Sequence, residues 1–358
     1  MTALELLQEL GHEELLLRRD STCGLRVVIA IHDTTLGPAV GGTRMVPYAS
    51  QERLVNEALR LSHSATQAAA LAGLHRGGGA AVIAGHPAHD KSRALLRAFA
   101  RVLDRLDGRL YVGPDLGIDS RDLAVLGRMT KHAGRVRAEA RVDIADLTAL
   151  GVLESIRAAA TRLGSDLAGA RVAVQGLGQV GYRLARLLHA EGARLTVTDT
   201  DPGRVERVVE ELGVETVAPE GFFDVEALVL SPNAGGDVLN DDSIPRIRAR
   251  AVVGSASGQL AEPHHADRLL ERGVLHGPDC VVGSGGLLGL LVELGEADDQ
   301  EVAERVGGIA GRLGEIWQRA EEEGRAPQRV AEAMAEERLA RARERERGAS
   351  RVSEDAEG

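Results

Sequence analysis

The chain has 358 residues, 44% hydrophobic, 27% charged and only 2% aromatic, with a formal charge of −11. That length exceeds one ordinary core and predicts two domains of about 100–200 residues each, hence a cleft that a small-molecule ligand could occupy. The acidic balance, with arginines scattered among carboxylates, offers no stripe for phosphates and argues against nucleic acid. Two cysteines, Cys23 and Cys280, build neither a disulfide framework nor a zinc site, so no metal is expected.

MTALELLQELGHEELLLRRD at the N-terminus has the pattern of an amphipathic helix and none of the features of an export signal. No membrane span is found, and a cytoplasmic location is expected. From Leu25 to Ala30 the run LRVVIA predicts a buried strand, and the glycines of LGPAVGGTRM a tight turn or a close approach. Helical periodicity from Glu52 to Ala72 ends at Gly73 and leads to Gly77, Gly78 and Gly79, a loop or ligand floor ahead of a short apolar strand. A further helix is predicted over Lys91 to Leu106. RLYVGPDLG then reads as a strand running into a turn that carries Asp115.

A helix from Arg141 to Gly164 enters the second domain, after which apolar strands (RVAVQ, RLTVTD, ALVLS, AVVGSA) alternate with helical segments such as Tyr182 to Glu191. That alternation predicts a doubly wound parallel sheet with right-handed crossovers. Two long helices follow, from about Leu287 to Glu323 and from Gln328 to about Arg343, before a charged tail.

Gly176, Gly178 and Gly181 form a GxGxxG motif that follows RVAVQ and opens a helix, and Asp199 ends the next apolar strand 23 residues after Gly176. Strand, glycines, helix, strand and acid in this order specify a dinucleotide site far better than the glycines alone. Gly176 permits the turn, Gly178 the approach of backbone to pyrophosphate, and Gly181 close helix packing. The expected cofactor set is Gln175, Gly176, Leu177, Gly178, Gln179, Val180, Gly181 and Asp199. Asp199 suits the adenosine ribose hydroxyls, and Asp201 beside it repels a 2′-phosphate, so NAD is expected; Arg204 is the one nearby base that could favour NADP.

AIHDTTLGPAVGGTRM, ALRLSHSATQAAALAGLHRGGGAAVIAG, YVGPDLG, VQGLGQVG and GSASGQL together resemble the Glu/Leu/Phe/Val amino-acid dehydrogenases, most of all the leucine dehydrogenase branch. The resemblance spans nearly the whole chain and implies a two-domain α/β fold. Residues 1–140, with about 326–345 folding back, would form a substrate and oligomerisation domain. Residues 141–325 would form a Rossmann-type NAD domain, and 346–358 a disordered tail. The implied reaction is reversible oxidative deamination of an apolar L-amino acid to a 2-oxo acid, in a homo-oligomer. It further implies a substrate side at Gly41, Gly42 and Gly77 to Gly79, and Thr148 close to the nicotinamide. Thr148 has the alternative of a helix N-cap.

Two departures from the family pattern bear on the chemistry. The lysine that holds the substrate carboxylate is Ala68 here, and the lysine that activates water is Ala80; of the 43 basic residues only Lys91 and Lys131 are lysines. The chain's bias exchanges lysine for arginine, yet neither position is arginine. Asp115, which matches the family's proton-relaying aspartate, is retained, with capping of the following turn as its alternative role. The family's amide-bearing motifs read Ser257-Gly258-Gln259 and Gly283-Ser284-Gly285-Gly286. His63, His75 and Arg76 are the neighbours that could stand in, although arginine cannot act as a base. These departures predict a pseudoenzyme that binds NAD without deaminating amino acids. The alternatives are an oxidoreductase for an amine, imine or ketone without a carboxylate, and a regulatory or structural subunit alongside an active paralogue.

Overall fold

The computed structural model describes residues 3–134 and 143–357. The chain divides into two units, Met1–Val136 with Glu332–Gly358, and Arg137–Ala331. The domain boundary expected near residue 140 and the helix start expected at Arg141 lie outside the described residues.

Unit 1 begins with α1 (Ala3–Leu10), β1 (Glu14–Asp20), β2 (Leu25–Asp33), β3 (Ala39–Val46), α2 (Gln51–Leu71) and β4 (Gly77–Ala84). α3 (Arg93–Asp104), β5 (Leu110–Pro114) and α4 (Ser120–Leu126) follow. The sheet order is β1-β2-β4-β3-β5, with β3, β4 and β5 parallel and β1 and β2 antiparallel. α2 starts at Ser50, whose side chain accepts the Arg53 N–H. Its Leu54, Val55, Ala58 and Leu59 recur at helical spacing and pack on Val28, Ala30, Val82 and Ala84. Each large side chain among them contributes roughly 1.5–3 kcal/mol by leaving water. The opposite face packs on α3 through Ile29, Ile31, Ala81, Ile83 and Phe99.

In unit 2, α5 (Ile144–Arg162) precedes β6 (Arg171–Gln175), α6 (Gln179–Ala190), β7 (Arg194–Thr198), α7 (Pro202–Leu212) and β8 (Glu215–Thr216). Then come β9 (Val229–Pro232), β10 (Ala251–Val252), α8 (His265–Glu271), β11 (Leu275–His276) and α9 (Asp279–Val282). The last helices are α10 (Ser284–Leu294), α11 (Asp299–Gly307), α12 (Ile309–Glu323) and α13 (Pro327–Glu357). The parallel sheet has the order β8-β7-β6-β9-β10-β11, so the strand order reverses between β6 and β9. A crevice at such a switch point, beyond the carboxyl ends of the strands, is where doubly wound sheets take ligands. From Glu332 onward α13 belongs to unit 1, where Arg338 donates to the Ala70 and Leu74 carbonyls and Arg343 to Asp33.

Four expectations are corrected. The N-terminal segment is not one helix: Gly11, with φ 75, ends α1, and Glu14–Asp20 instead pairs antiparallel with β2. Gly41, Gly42 and Gly77 to Gly79 lie inside strands rather than in turns or loops, so of the two readings of LGPAVGGTRM it is the close approach that describes Gly41 and Gly42. The span from Leu287 to Glu323 is three helices, broken at Gly295 in the left-handed region and again at Gly308. The tail beyond residue 345, expected as disordered, is part of α13, which runs as helix to Glu357. Among the described residues no helix is long and apolar enough to cross a membrane.

Candidate functional site

In unit 1 the glycines let backbone meet backbone. A Cβ at Gly78 would lie 2.1 Å from the Thr66 nitrogen of α2, and one at Gly41 1.7 Å from the Gly79 carbonyl. Gly77 and Gly79 are closed in likewise, by Asp33 O at 2.1 Å and Leu110 Cδ1 at 2.6 Å. Gly42 yields its space to Asp115, whose Oδ2 lies 3.0 Å from where a side chain would begin. Ala68 on α2 is 8% exposed and Ala80 on β4 is 1% exposed. Ala80 pairs with Ala30 of β2, and strand alternation puts it on the same face as Val82 and Ala84, toward α2.

Asp115 Oδ1 accepts the Leu116 N–H at 2.6 Å and Arg44 Nη2 at 3.2 Å, so the carboxylate both caps its turn and pairs with a buried cation. Arg44, 3% exposed, also donates to Glu57 of α2. Burial opposes its charge, but Asp115 and Glu57 outweigh that cost and hold its pKa above the ordinary arginine value.

None of the three neighbours considered as substitutes is set up as a base beside Ala80. His63 belongs to a histidine cluster, its ring centroid 4.7 Å from that of His32, which in turn lies 4.8 Å from that of His12. His32 donates from Nε2 to the Leu10 carbonyl and meets the Thr66 hydroxyl at Nδ1, both at 2.8 Å. Burial, then His32 and His12, push the His63 pKa down to about 3, so it is neutral and weakly basic. His75 is exposed, and Arg76 lies over the Tyr111 ring, 5.0 Å from its centroid. Lys91 is committed too: its Nζ donates to the Gly117 carbonyl and to Asp122.

In unit 2, Gly176 turns the chain after β6 with φ 85, where a Cβ would lie 2.8 Å from that of Ala234. Gly181 allows α6 to sit on the loop: a Cβ there would be 1.7 Å from the Gly176 carbonyl. Gly178 differs, because a Cβ would meet only Arg204 Nη1, at 3.7 Å. The fold therefore does not itself need glycine at 178. Gly178 is the N-cap of α6 and makes no side-chain cap, so the first-turn N–H groups, including those of Gln179 and Val180, remain available to an anion.

Asp199, at the end of β7, holds the loop by accepting the Leu177 N–H at 2.6 Å and the Asp201 N–H at 2.9 Å. Arg204 lies 3.6 Å from Asp199 and 3.4 Å from Asp201, spending its charge on two carboxylates. Gln175 Oε1 and Thr198 Oγ1, at the ends of β6 and β7, are buried with no hydrogen-bond partner. An open phosphate cradle, a carboxylate on the neighbouring strand and unpaired polar atoms at both strand ends fit a dinucleotide.

Thr148 lies in the second turn of α5 and is not the N-cap, which is Asp143; its hydroxyl donates to the Ile144 carbonyl and packs against Gly286. Gly285 lets α10 approach α5, since a Cβ would lie 2.4 Å from the Leu147 carbonyl. Gln259 is fully buried and donates to the Gly254 carbonyl, a role internal to its loop.

Sequence reasoning missed Asn233. Its Oδ1 accepts the Ser255 N–H and hydroxyl, its amide donates to Ser231, and its backbone stands against Gly176. The turn PNAGG directly after the strand ALVLS was the available signal. Also missed was Asp241 with His264 and His265, whose ligand atoms lie within 4.8 Å of one another. His265 Nδ1 accepts the Glu262 N–H, so its proton sits on Nε2 toward Asp241 and no lone pair is left there for a metal.

Residues 14–133 match the Glu/Leu/Phe/Val dehydrogenase dimerisation domain, and residues 142–207 the Glutamate/Leucine/Phenylalanine/Valine dehydrogenase domain. The chain is 38% identical over 343 residues to leucine dehydrogenase of Geobacillus stearothermophilus, covering 95% of this chain and 94% of the relative. Among solved structures it is similar to L-tryptophan dehydrogenase from Nostoc punctiforme, with TM-score 0.74 and 36% identity over 95% of this chain and 99% of that one. The Leu-bound form of hetero-hexameric glutamate dehydrogenase from Thermus thermophilus gives TM-score 0.78 and 30% identity, over 96% and 92%.

Proposed function

The chain belongs to the Glu/Leu/Phe/Val dehydrogenase family, and from that premise we propose that it binds NAD but has lost oxidative deamination of amino acids. The observation that carries this is the pair of buried alanines, Ala68 and Ala80, with Lys91, the lysine nearer to them in sequence, committed to Asp122 and Gly117. A positioned acid–base group is worth about 10²–10⁴-fold in rate. A deleted partner of a buried charge costs about 2–5 kcal/mol of binding. Asp115 alone supplies neither a carboxylate anchor nor a water-activating base. When bound, NAD supplies a hydride acceptor; the residues of this chain supply the phosphate cradle at Gly176 to Gly181 and the ribose partner Asp199. NAD rather than NADP follows from the local charge, since Asp199 and Asp201 exceed Arg204 by one negative charge.

A second reading has an observation of its own. Around Asp115 the charges are Asp115, Glu57 and Arg44, a net of one negative charge, and both lysine positions of the family pattern are alanine. Such a site suits the ammonium of a primary amine without a carboxylate better than a zwitterion. In the oxidation of such an amine Asp115 would be the group of this chain that takes the proton from nitrogen. A cytoplasmic subunit working beside an active paralogue is compatible with the first reading, since one relative is a hetero-hexamer. Calorimetric titration of the full chain with NAD and NADP tests the common ground. Saturable NAD binding, tighter than NADP, is expected; no binding of either overturns the reading.

A further inference from the structure

The first turns of α5 and α6 are joined by one guanidinium. Arg183 donates from Nη1 to the carbonyl and side-chain oxygen of Gln179, the first residue of α6, at 2.8 and 2.6 Å. Its Nε reaches Asp146 at 2.7 Å and its Nη2 reaches Asp143 at 2.6 Å. Those two aspartates form the capping box of α5 and are about half exposed, with side chains 43% and 49% accessible. Two carboxylates thus stand within the width of one guanidinium of the N-terminal end of α6. Their field reaches other groups in this corner. Burial, and after it the charge of Asp143, push the Glu293 pKa up to about 7.

We propose that Arg183 is a specificity-determining residue of the nucleotide site: it offsets one of the two negative charges of Asp143 and Asp146 and ties both carboxylates down, which eases the approach of a pyrophosphate dianion to the first turn of α6. This rests on the dinucleotide reading of unit 2. At separations under about 10 Å, carboxylates and phosphates repel appreciably at low ionic strength, and salt screens the effect. Arg183 therefore governs the charge of the ligand admitted, independently of the groups that recognise adenosine.

The test is titration of the full-length protein with NAD, ADP-ribose and uncharged adenosine between about 20 mM and about 300 mM salt. Arg183→Met is expected to weaken NAD and ADP-ribose about tenfold at low salt. The loss should shrink at high salt, with adenosine unchanged. Adding Asp143→Asn and Asp146→Asn, which keep the capping oxygens, is expected to restore the wild-type affinities. Undiminished NAD affinity in Arg183→Met, a loss extending to adenosine, or a triple variant as weak as the single one each overturns the proposal. Absence of NAD binding by the wild-type protein overturns the dinucleotide reading itself, and this inference with it.

Discussion

Arg44 Nη2 lies 3.2 Å from Asp115 Oδ1 while the same guanidinium holds Glu57, so the one acidic residue retained at the unit 1 site is tied through β3 to α2. The pairing gives Asp115 a structural role that does not depend on amino-acid turnover: it is part of a charge network centred on the buried Arg44. Replacing Arg44 with Met would strand two carboxylates that are only partly exposed. A loss of about 3–5 kcal/mol is expected, readable in the midpoint and slope of urea unfolding. A change below about 1 kcal/mol would show the network to be ornamental.

Gly178 and Gly181 make opposite predictions although both belong to one motif. Gly178→Ala has room, with Arg204 Nη1 at 3.7 Å as its only close neighbour, so the melting temperature should hold while NAD affinity falls at least tenfold. Gly181→Ala would drive a methyl to 1.7 Å from the Gly176 carbonyl, and unit 2 should lose stability before any ligand is added. Thermal melts with and without NAD separate the two, and equal melting points for both variants would contradict this division of roles.

Stability should fall in acid for a reason visible in the histidines. His276, 1% exposed with neither ring nitrogen hydrogen-bonded, has its pKa pushed down to about 4 by burial. His12 is likewise pushed down to about 4, by burial and then by His32. Above the unfolded value near 6.5 these groups are neutral in both states and contribute nothing to the pH dependence. As pH falls from there toward 4, the unfolded chain takes up protons that the folded chain refuses, and stability is lost. His276 alone would account for about 3 kcal/mol at pH 4. Urea midpoints at pH 7, 5.5 and 4.5 check this, and His276→Leu should flatten the decline; equal slopes for the variant and the wild type would assign the loss elsewhere.

Restoring both lysines is the constructive counterpart. Ala68→Lys with Ala80→Lys should gain NADH formation from apolar L-amino acids of at least about 10²-fold over the parent, whereas either single variant should gain little. Failure of a folded double variant would place further lost contacts, such as those of the Ser257-Gly258-Gln259 loop, among the causes.

Local patterns carried the alternation of strands and helices in unit 2, the glycine loop and Asp199, because a Rossmann turn is built from neighbours in sequence. They failed where distant segments decide. Gly77 to Gly79 read as a loop or ligand floor, yet they lie in β4, and the lack of a side chain at Gly78 is what lets α2 lie on that strand, a demand set by Thr66 at another point of the chain. Glu14–Asp20 followed a helical pattern until pairing with β2 imposed a strand. The partnership of Arg44 with Asp115 spans 71 residues, and that of Arg183 with Asp143 spans 40; neither leaves a motif.

The most direct measurement is single-turnover absorbance of NADH with protein in excess over NAD, against aliphatic and aromatic L-amino acids and the corresponding decarboxylated amines. No NADH from the amino acids is the predicted result, and NADH from amines alone would select the second reading. A full burst of NADH from an L-amino acid would contradict the account, because it would require a carboxylate anchor and a base that Ala68 and Ala80 cannot provide.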